Sequence, residues 1–202
     1  MFFYAHSINE LSSLNQIDLD TGVEIDIRDE GGKLVLGHDP MQKSYTNISE
    51  FLDSLKGRNV IANIKSERVE KEFINLINLL SPKSEYFFLD SSFSMIANFG
   101  NKYNFASRFS EFESIETSIA LIKANLIKWI WVDTFFNFPI NEENVKVFNS
   151  LQVAKCLTSP DLLGRPEDIK EYSYLIKKHC VCFDAICCKK ENISKWNKYL
   201  NS

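Results

Sequence analysis

The chain has 202 residues, of which 45% are apolar and 25% charged, with only seven glycines and five prolines; this composition is typical of a globular protein and excludes a disordered or collagen-like chain. Its net charge of −4 argues against a general polyanion binder, so we expect no nucleic-acid partner. No apolar run approaches the roughly 18 residues that span a bilayer, and the segment MFFYAHSINE lacks the basic and long apolar regions of a secretory leader. We therefore expect a cytoplasmic protein without an integral membrane segment.

Short β-rich runs alternate with amphipathic stretches from the beginning of the chain to its end. Strands separated by helices need right-handed crossovers and a parallel sheet, and eight such units favour a closed (β/α)8 barrel. We find no repeat, linker or low-complexity segment, so the prediction is an α/β TIM barrel forming one domain over residues 1–202. The predicted strands are 2–5, 22–28, 59–65, 85–90, 103–108, 127–133, 151–157 and 180–187, and the predicted helices are 8–15, 47–56, 67–80, 91–98, 113–124, 141–149 and 166–178.

The second predicted strand, GVEIDIR, carries an ionic face. Alternation of side chains along a strand places Glu24, Asp26 and Arg28 on one face and apolar residues on the other. Strands of a parallel barrel are covered on both sides, so the ionic face would point into the barrel, where two carboxylates need a cation. Carboxylates two residues apart are natural ligands for a hard ion such as Mg²⁺ or Ca²⁺. The alternative is an ordinary solvated strand face.

The third predicted strand repeats this pattern in VIANIK. Asn63 and Lys65 share a face, so Asn63 could add a neutral oxygen ligand and Lys65 a positive charge beside the metal. A buried lysine needs an anionic partner, which would be a phosphate or one of the carboxylates. The alternative for Lys65 is an exposed position at the end of the strand.

Two of the three histidines lie where a barrel would place its active site. His6 ends the first strand and His38 follows LVLG, and active sites of these barrels lie at the carboxyl ends of the strands. Two imidazoles there could act as the acid and the base at phosphate-ester oxygens. Asp39, which precedes Pro40, fits a capping or turn role, and His179 a structural or surface role.

The five cysteines are clustered between residues 156 and 188 without a CxxC pair, and we expect them to be buried strand thiols. A zinc hydrolase is disfavoured because the histidines are too few and are not clustered.

The order AH, EIDIR, LVLGHDP and NIK resembles the glycerophosphodiester phosphodiesterase-like branch of the phosphatidylinositol-phospholipase-C-like barrels, a group that includes the spider-venom phospholipase D toxins. The resemblance implies a divalent cation, with Glu24, Asp26 and Asn63 as its ligands. It further implies His6 and His38 as acid and base, in an order that the sequence does not assign, and Lys65 on the phosphate.

Two residues depart from the pattern of that family. Ser7 stands where the family commonly has an arginine, so a phosphate contact could come from Arg28 or Arg108 instead, and Asn63 replaces a carboxylate.

Trp131, which shares a face with Asp133, could stack on the alcohol group of the substrate, the alternative being an aromatic barrel core.

The expected function is metal-assisted cleavage of a small-molecule phosphodiester, in which the attacking group is water or a hydroxyl of the substrate itself, the latter giving a cyclic phosphate. The alternative is a barrel that has lost catalysis and serves as a binding or scaffold module. No feature of the sequence indicates an oligomeric state.

Overall fold

Strands and helices alternate through all residues, Met1–Ser202, of the computed structural model. The chain divides into two units, one formed by Tyr4–Phe105 and the other by Met1–Phe3 together with Ala106–Ser202. Each of the eight predicted strands overlaps an observed strand, and each of the seven predicted helices overlaps an observed helix.

The Tyr4–Phe105 unit is built on four parallel strands in the order β1, β2, β5 and β6. Its elements are β1 (Phe2–Ala5, which begins in the other unit), α1 (Leu11–Leu14), β2 (Gly22–Glu30), β3 (Lys33–Leu36), β4 (Thr46–Asn47), α2 (Ile48–Asp53), β5 (Val60–Ile64), α3 (Glu70–Leu80), β6 (Tyr86–Leu89) and α4 (Phe93–Phe99).

The strands β3 and β4 form an antiparallel extension of β2 that the sequence prediction lacks. Gly31 and Gly32 connect β2 to β3 with φ angles of 56° and 78°. Both angles are positive, which a two-residue hairpin turn of this hand requires and glycine allows without strain. The pair Gly-Gly at the end of a strand is itself the sequence signal for such a turn. The hairpin is important for the site because β3 leads directly to His38.

The register between β2 and β5 brings the two polar strand faces together. Asp26 pairs with Asn63, and Glu24 pairs with Ile61, the residue two positions before Asn63. The alternate residues of β2, among them Ile25 and Ile27, are fully buried in the apolar core. The polar residues of β2 and β5 therefore share the opposite face of the sheet, at the carboxyl ends of these strands.

The Ala106–Ser202 unit also contains four parallel strands, in the order β7, β8, β9 and β10. Its elements are β7 (Ala106–Phe109), α5 (Ile115–Lys123), β8 (Trp129–Val132), α6 (Val145–Ser150), β9 (Ala154–Thr158), α7 (Ile169–Lys178), β10 (Ala185–Cys188) and α8 (Ile193–Asn201), with 3₁₀ helices at Pro160–Leu163, Pro166–Asp168 and Lys190–Asn192. The sequence prediction lacks α8, which buries Trp196 completely.

The cysteines divide into two groups. Cys156, Cys187 and Cys188 are buried in the strands, as predicted, but Cys180 and Cys182 are exposed. The interpretation of all five as buried strand thiols is therefore wrong for these two, because β10 begins only at residue 185 and both cysteines lie before it, outside any strand. No helix combines the length and the hydrophobicity of a membrane span.

Candidate active site

Glu24 and Asp26 are buried carboxylates on the polar face of β2. Their exposed fractions are 0% and 1%, so the alternative of a solvated strand face does not hold. Burying an ionised carboxylate is costly unless hydrogen bonds or a charge partner compensate. The surrounding residues supply both.

Glu24 accepts two hydrogen bonds and lies beside a histidine. The backbone N–H of Ser7 donates to Oε2 over 2.7 Å, and the Asn63 side-chain amide donates to Oε1 over 2.9 Å. The His6 Nε2 atom lies 3.7 Å from the same Oε2. Burial, with a further contribution from the negative charge of Asp26, raises the pKa of Glu24 to about 7, although the two hydrogen bonds and Lys65 oppose that rise. Burial and the neighbouring carboxylate thus disfavour the ionised form of Glu24 more than its hydrogen bonds and Lys65 favour it.

Asp26 is held by the loop that follows β1. The Asn9 amide nitrogen donates to Oδ2 over 2.7 Å, and Ser7 Oγ contributes a longer bond of 3.4 Å to the same oxygen. The Asp26 backbone N–H donates in turn to Asn9 Oδ1 over 2.8 Å. On the other side, Lys65 Nζ lies 3.4 Å from Asp26 Oδ1. Lys65 thus has the anionic partner that its position demands, and its side chain is only 19% exposed.

Sequence reasoning missed Asn9 as a site residue. It lies on the βα loop after β1, and such loops build the active sites of barrels. Its place three residues after His6 was the available signal, but nothing in the sequence shows which loop side chain turns back toward β2.

The two histidines differ in their surroundings. The His6 side chain is 34% exposed and lies against Glu24, whereas the His38 side chain is 59% exposed and its Nδ1 lies 2.8 Å from Asp39 Oδ1. The backbone places His38 beside β2, because the N–H of the preceding Gly37 donates to the Asp26 carbonyl over 3.0 Å. Asp39 therefore has a specific partner in the His38 imidazole.

Arg28 binds the backbone of the β3 end. Its Nε donates to the Gly37 carbonyl and its terminal nitrogen to the His38 carbonyl, each over 3.0 Å. In this conformation Arg28 orients the segment that carries His38. The prediction that Arg28 contacts a phosphate stays a prediction.

Arg108 and Trp131, the other two predicted substrate-binding residues, lie in the Ala106–Ser202 unit, where both contact Asp133. Arg108 forms an ion pair with one oxygen of Asp133, and Trp131 Nε1 donates to the other over 2.9 Å. Thr158 Oγ1 donates to that second oxygen over 3.1 Å. Trp131 is only 4% exposed. Burial raises the pKa of Asp133 above its usual value, and Arg108 opposes that rise.

Two buried oxygen atoms at the site lack hydrogen-bond donors. Asn63 Oδ1 and Asp26 Oδ1 are both inaccessible and accept no hydrogen bond. Together with Glu24 they form a set of hard oxygen donors, the kind that Mg²⁺ and Ca²⁺ take. No group of three or more histidine, cysteine or acidic side chains is arranged to hold a metal, so a cation here would depend on two carboxylates and the Asn63 amide.

Three solved structures of similar fold are described as glycerophosphodiester phosphodiesterases or as a phosphodiesterase. The enzyme from Thermotoga maritima is 16% identical, with 93% of each chain covered and a TM-score of 0.60. A candidate glycerophosphoryl diester phosphodiesterase from Agrobacterium tumefaciens is 9% identical, with 100% of this chain and 99% of that chain covered and a TM-score of 0.66. A phosphodiesterase from Oleispira antarctica, solved with the product sn-glycerol-3-phosphate, is 13% identical, with coverages of 100% and 97% and a TM-score of 0.62.

The likeness extends over nearly the whole chain, and it confirms the predicted α/β barrel fold. No protein-family model matches the sequence, and a comparison with curated proteins finds no match.

Proposed function

We propose that the chain is a metal-dependent phosphodiesterase that cleaves a glycerophosphodiester-like or other small phosphodiester, with His6 and His38 as acid and base. The observation that carries this proposal is the buried pair Glu24 and Asp26, which meets Lys65 and His6 at the carboxyl ends of β2 and β5. A barrel kept only for its shape gains nothing from burying two carboxylates next to each other, because their mutual repulsion costs stability.

Glu24, Asp26 and Asn63 would hold a divalent cation such as Mg²⁺ or Ca²⁺. The buried Asn63 Oδ1, which accepts no hydrogen bond, and the raised pKa of Glu24 support this assignment, since a cation would satisfy the first and lower the second. When bound, a divalent cation neutralises charge on a phosphoryl oxygen and lowers the pKa of a coordinated hydroxyl group. Lys65 adds a fixed charge that stabilises the extra negative charge of the transition state.

The histidines would move the protons. With Nδ1 beside the Asp39 carboxylate, His38 keeps its proton on that nitrogen and presents Nε2 for proton exchange with a substrate oxygen. The Glu24 carboxylate, with Oε2 3.7 Å from His6 Nε2, would orient that imidazole. A protonated imidazole can donate to the leaving alkoxide, and a neutral one can deprotonate the attacking hydroxyl.

The proposal is tested by turnover of a phosphodiester panel that includes glycerophosphocholine, lysolipids and nucleotide-linked alcohols. Products are followed by ³¹P NMR, which also distinguishes a phosphomonoester from a cyclic phosphate. We expect EDTA to abolish turnover and Mg²⁺, Mn²⁺ or Ca²⁺ to restore it. Full activity in excess EDTA would contradict the metal-dependent mechanism. Cation-dependent binding of diesters without any turnover would instead favour the inactive binding or scaffold module, which the replacements at Ser7 and Asn63 also favour.

Replacing either histidine is expected to reduce kcat by about 10²-fold or more, because each loses one proton transfer in the transition state. The measurement is kcat for His6→Ala and His38→Ala with the best substrate of the panel. His179→Ala is the matched control, since His179 caps the carboxyl end of α7 in the other unit. Unchanged kcat in both site variants would remove the histidines from the mechanism.

A further inference from the structure

Asn9 binds Asp26 at two points. Its amide nitrogen donates to Oδ2 over 2.7 Å, and its amide oxygen accepts the Asp26 backbone N–H over 2.8 Å. The preceding residue is anchored as well, because the Ile8 N–H donates to the Glu24 carbonyl over 2.8 Å. Because the nitrogen and the oxygen of the Asn9 amide are both hydrogen-bonded, the side chain cannot rotate without breaking two hydrogen bonds. These bonds hold the amide in place against the Asp26 carboxylate.

This contact makes the two oxygens of Asp26 unequal. Oδ2 is occupied by Asn9 and, at longer distance, by Ser7, whereas Oδ1 accepts no hydrogen bond and faces Lys65. A carboxylate that is free to turn would present either oxygen, or both, to a cation. The bond from Asn9 removes that freedom.

We infer that Asn9 is a positioning residue that holds Asp26 Oδ2 and thereby presents Oδ1 as the single Asp26 ligand of a divalent cation. The inference rests on the proposed function and adds to it a residue that itself contacts neither the cation nor the substrate. Partners of ligating carboxylates typically change metal affinity by about 10- to 100-fold when they are removed. The effect matters more here than in a site with three carboxylates, because only two charged ligands are available.

The experiment is calorimetric titration of Mg²⁺ and Ca²⁺ into the substrate-free protein, with thermal melting recorded for every variant. We expect Asn9→Ala to weaken cation binding by about 10-fold or more. Asn47→Ala is the matched control: Asn47 is an asparagine of the same unit at the end of β4, and its Oδ1 accepts the Ser49 N–H at the start of α2 without contacting the carboxylates. We expect Asn47→Ala to melt at a lower temperature and to keep its cation affinity.

Asn9→Gln is the second variant, because it keeps the amide and moves it by one methylene; we expect intermediate affinity. A folded Asn9→Ala protein whose affinity lies within twofold of the wild type overturns the inference, and so does failure of both Asn9 variants to fold, which would make Asn9 a folding determinant. If the wild-type protein binds neither ion, the cation site of the proposed function is contradicted. If the wild type binds an ion and the Asn9 variants bind it equally well, only the role of Asn9 is contradicted.

Discussion

Asp26→Asn is expected to lower kcat/KM by about 10³-fold, the equivalent of several kcal/mol of transition-state stabilisation. The size of the loss follows from the contact with Asn9. Because the Asn9 amide donates at the Oδ2 position, the new side chain must place its own oxygen there and its NH₂ group at the Oδ1 position. That group then faces Lys65 Nζ, which lies 3.4 Å from the present Oδ1, and it cannot ligate a cation. The variant loses a charge and a ligand together.

Glu30→Gln is the matched control for this variant. Glu30 is an exposed carboxylate at the end of the same strand, four residues beyond Asp26 and beyond the buried part of the strand. The Glu30→Gln variant has the same change in net charge as Asp26→Asn and is expected to keep full activity. Measuring kcat/KM in both proteins, with circular dichroism to confirm folding, separates a loss of chemistry from a loss of structure. Equal activity of the folded Asp26→Asn protein would contradict a role for Asp26 in catalysis.

The parts of the site that follow from strand periodicity could be predicted from the sequence. Alternation along GVEIDIR places Glu24 and Asp26 on one face of β2, and alternation along VIANIK places Asn63 and Lys65 on one face of the β5 segment. The structure brings the two faces together, because Asn63 contacts Glu24 and Lys65 contacts Asp26. The reason is that a parallel barrel strand is covered on both faces, so a regular ionic face in such a strand has to be buried.

The parts that depend on loops could not be predicted. Asn9 and Ser7 reach back to the β2 carboxylates, and Ser7 does so with a positive φ of 55° that no sequence pattern announces. The partner of Arg28 could not be predicted either, since a guanidinium can donate to phosphate oxygens or to backbone carbonyls. The Gly-Gly pair is a sequence signal for the hairpin, but the alternation of strands and helices does not predict an antiparallel insertion into a parallel sheet.

Asn63→Asp is expected to lower the stability of the cation-free protein and to raise the affinity of the protein for a divalent cation. Without a cation, the Asn63 amide donates to Glu24 Oε1 over 2.9 Å, and an aspartate there replaces the donor by a second carboxylate oxygen, so the two groups repel each other unless one of them binds a proton. Three buried carboxylates around one lysine should reduce the free energy of unfolding by about 3 kcal/mol, in the range known for an uncompensated buried charge. With a cation, the same charge becomes a third anionic ligand, so affinity for Mg²⁺ or Ca²⁺ should rise at least about tenfold.

The measurement is a pair of thermal melts and a calorimetric titration. In EDTA the Asn63→Asp protein should melt below the wild type, and in saturating Mg²⁺ or Ca²⁺ it should recover most of that difference or exceed it, since ligand binding to the folded state stabilises it. Asn78→Asp, an exposed change on α3, adds the same charge away from the site and should leave cation affinity unchanged. Unchanged affinity in the folded Asn63→Asp protein would place Asn63 outside the ligand set, and its amide would then serve only to hold Glu24.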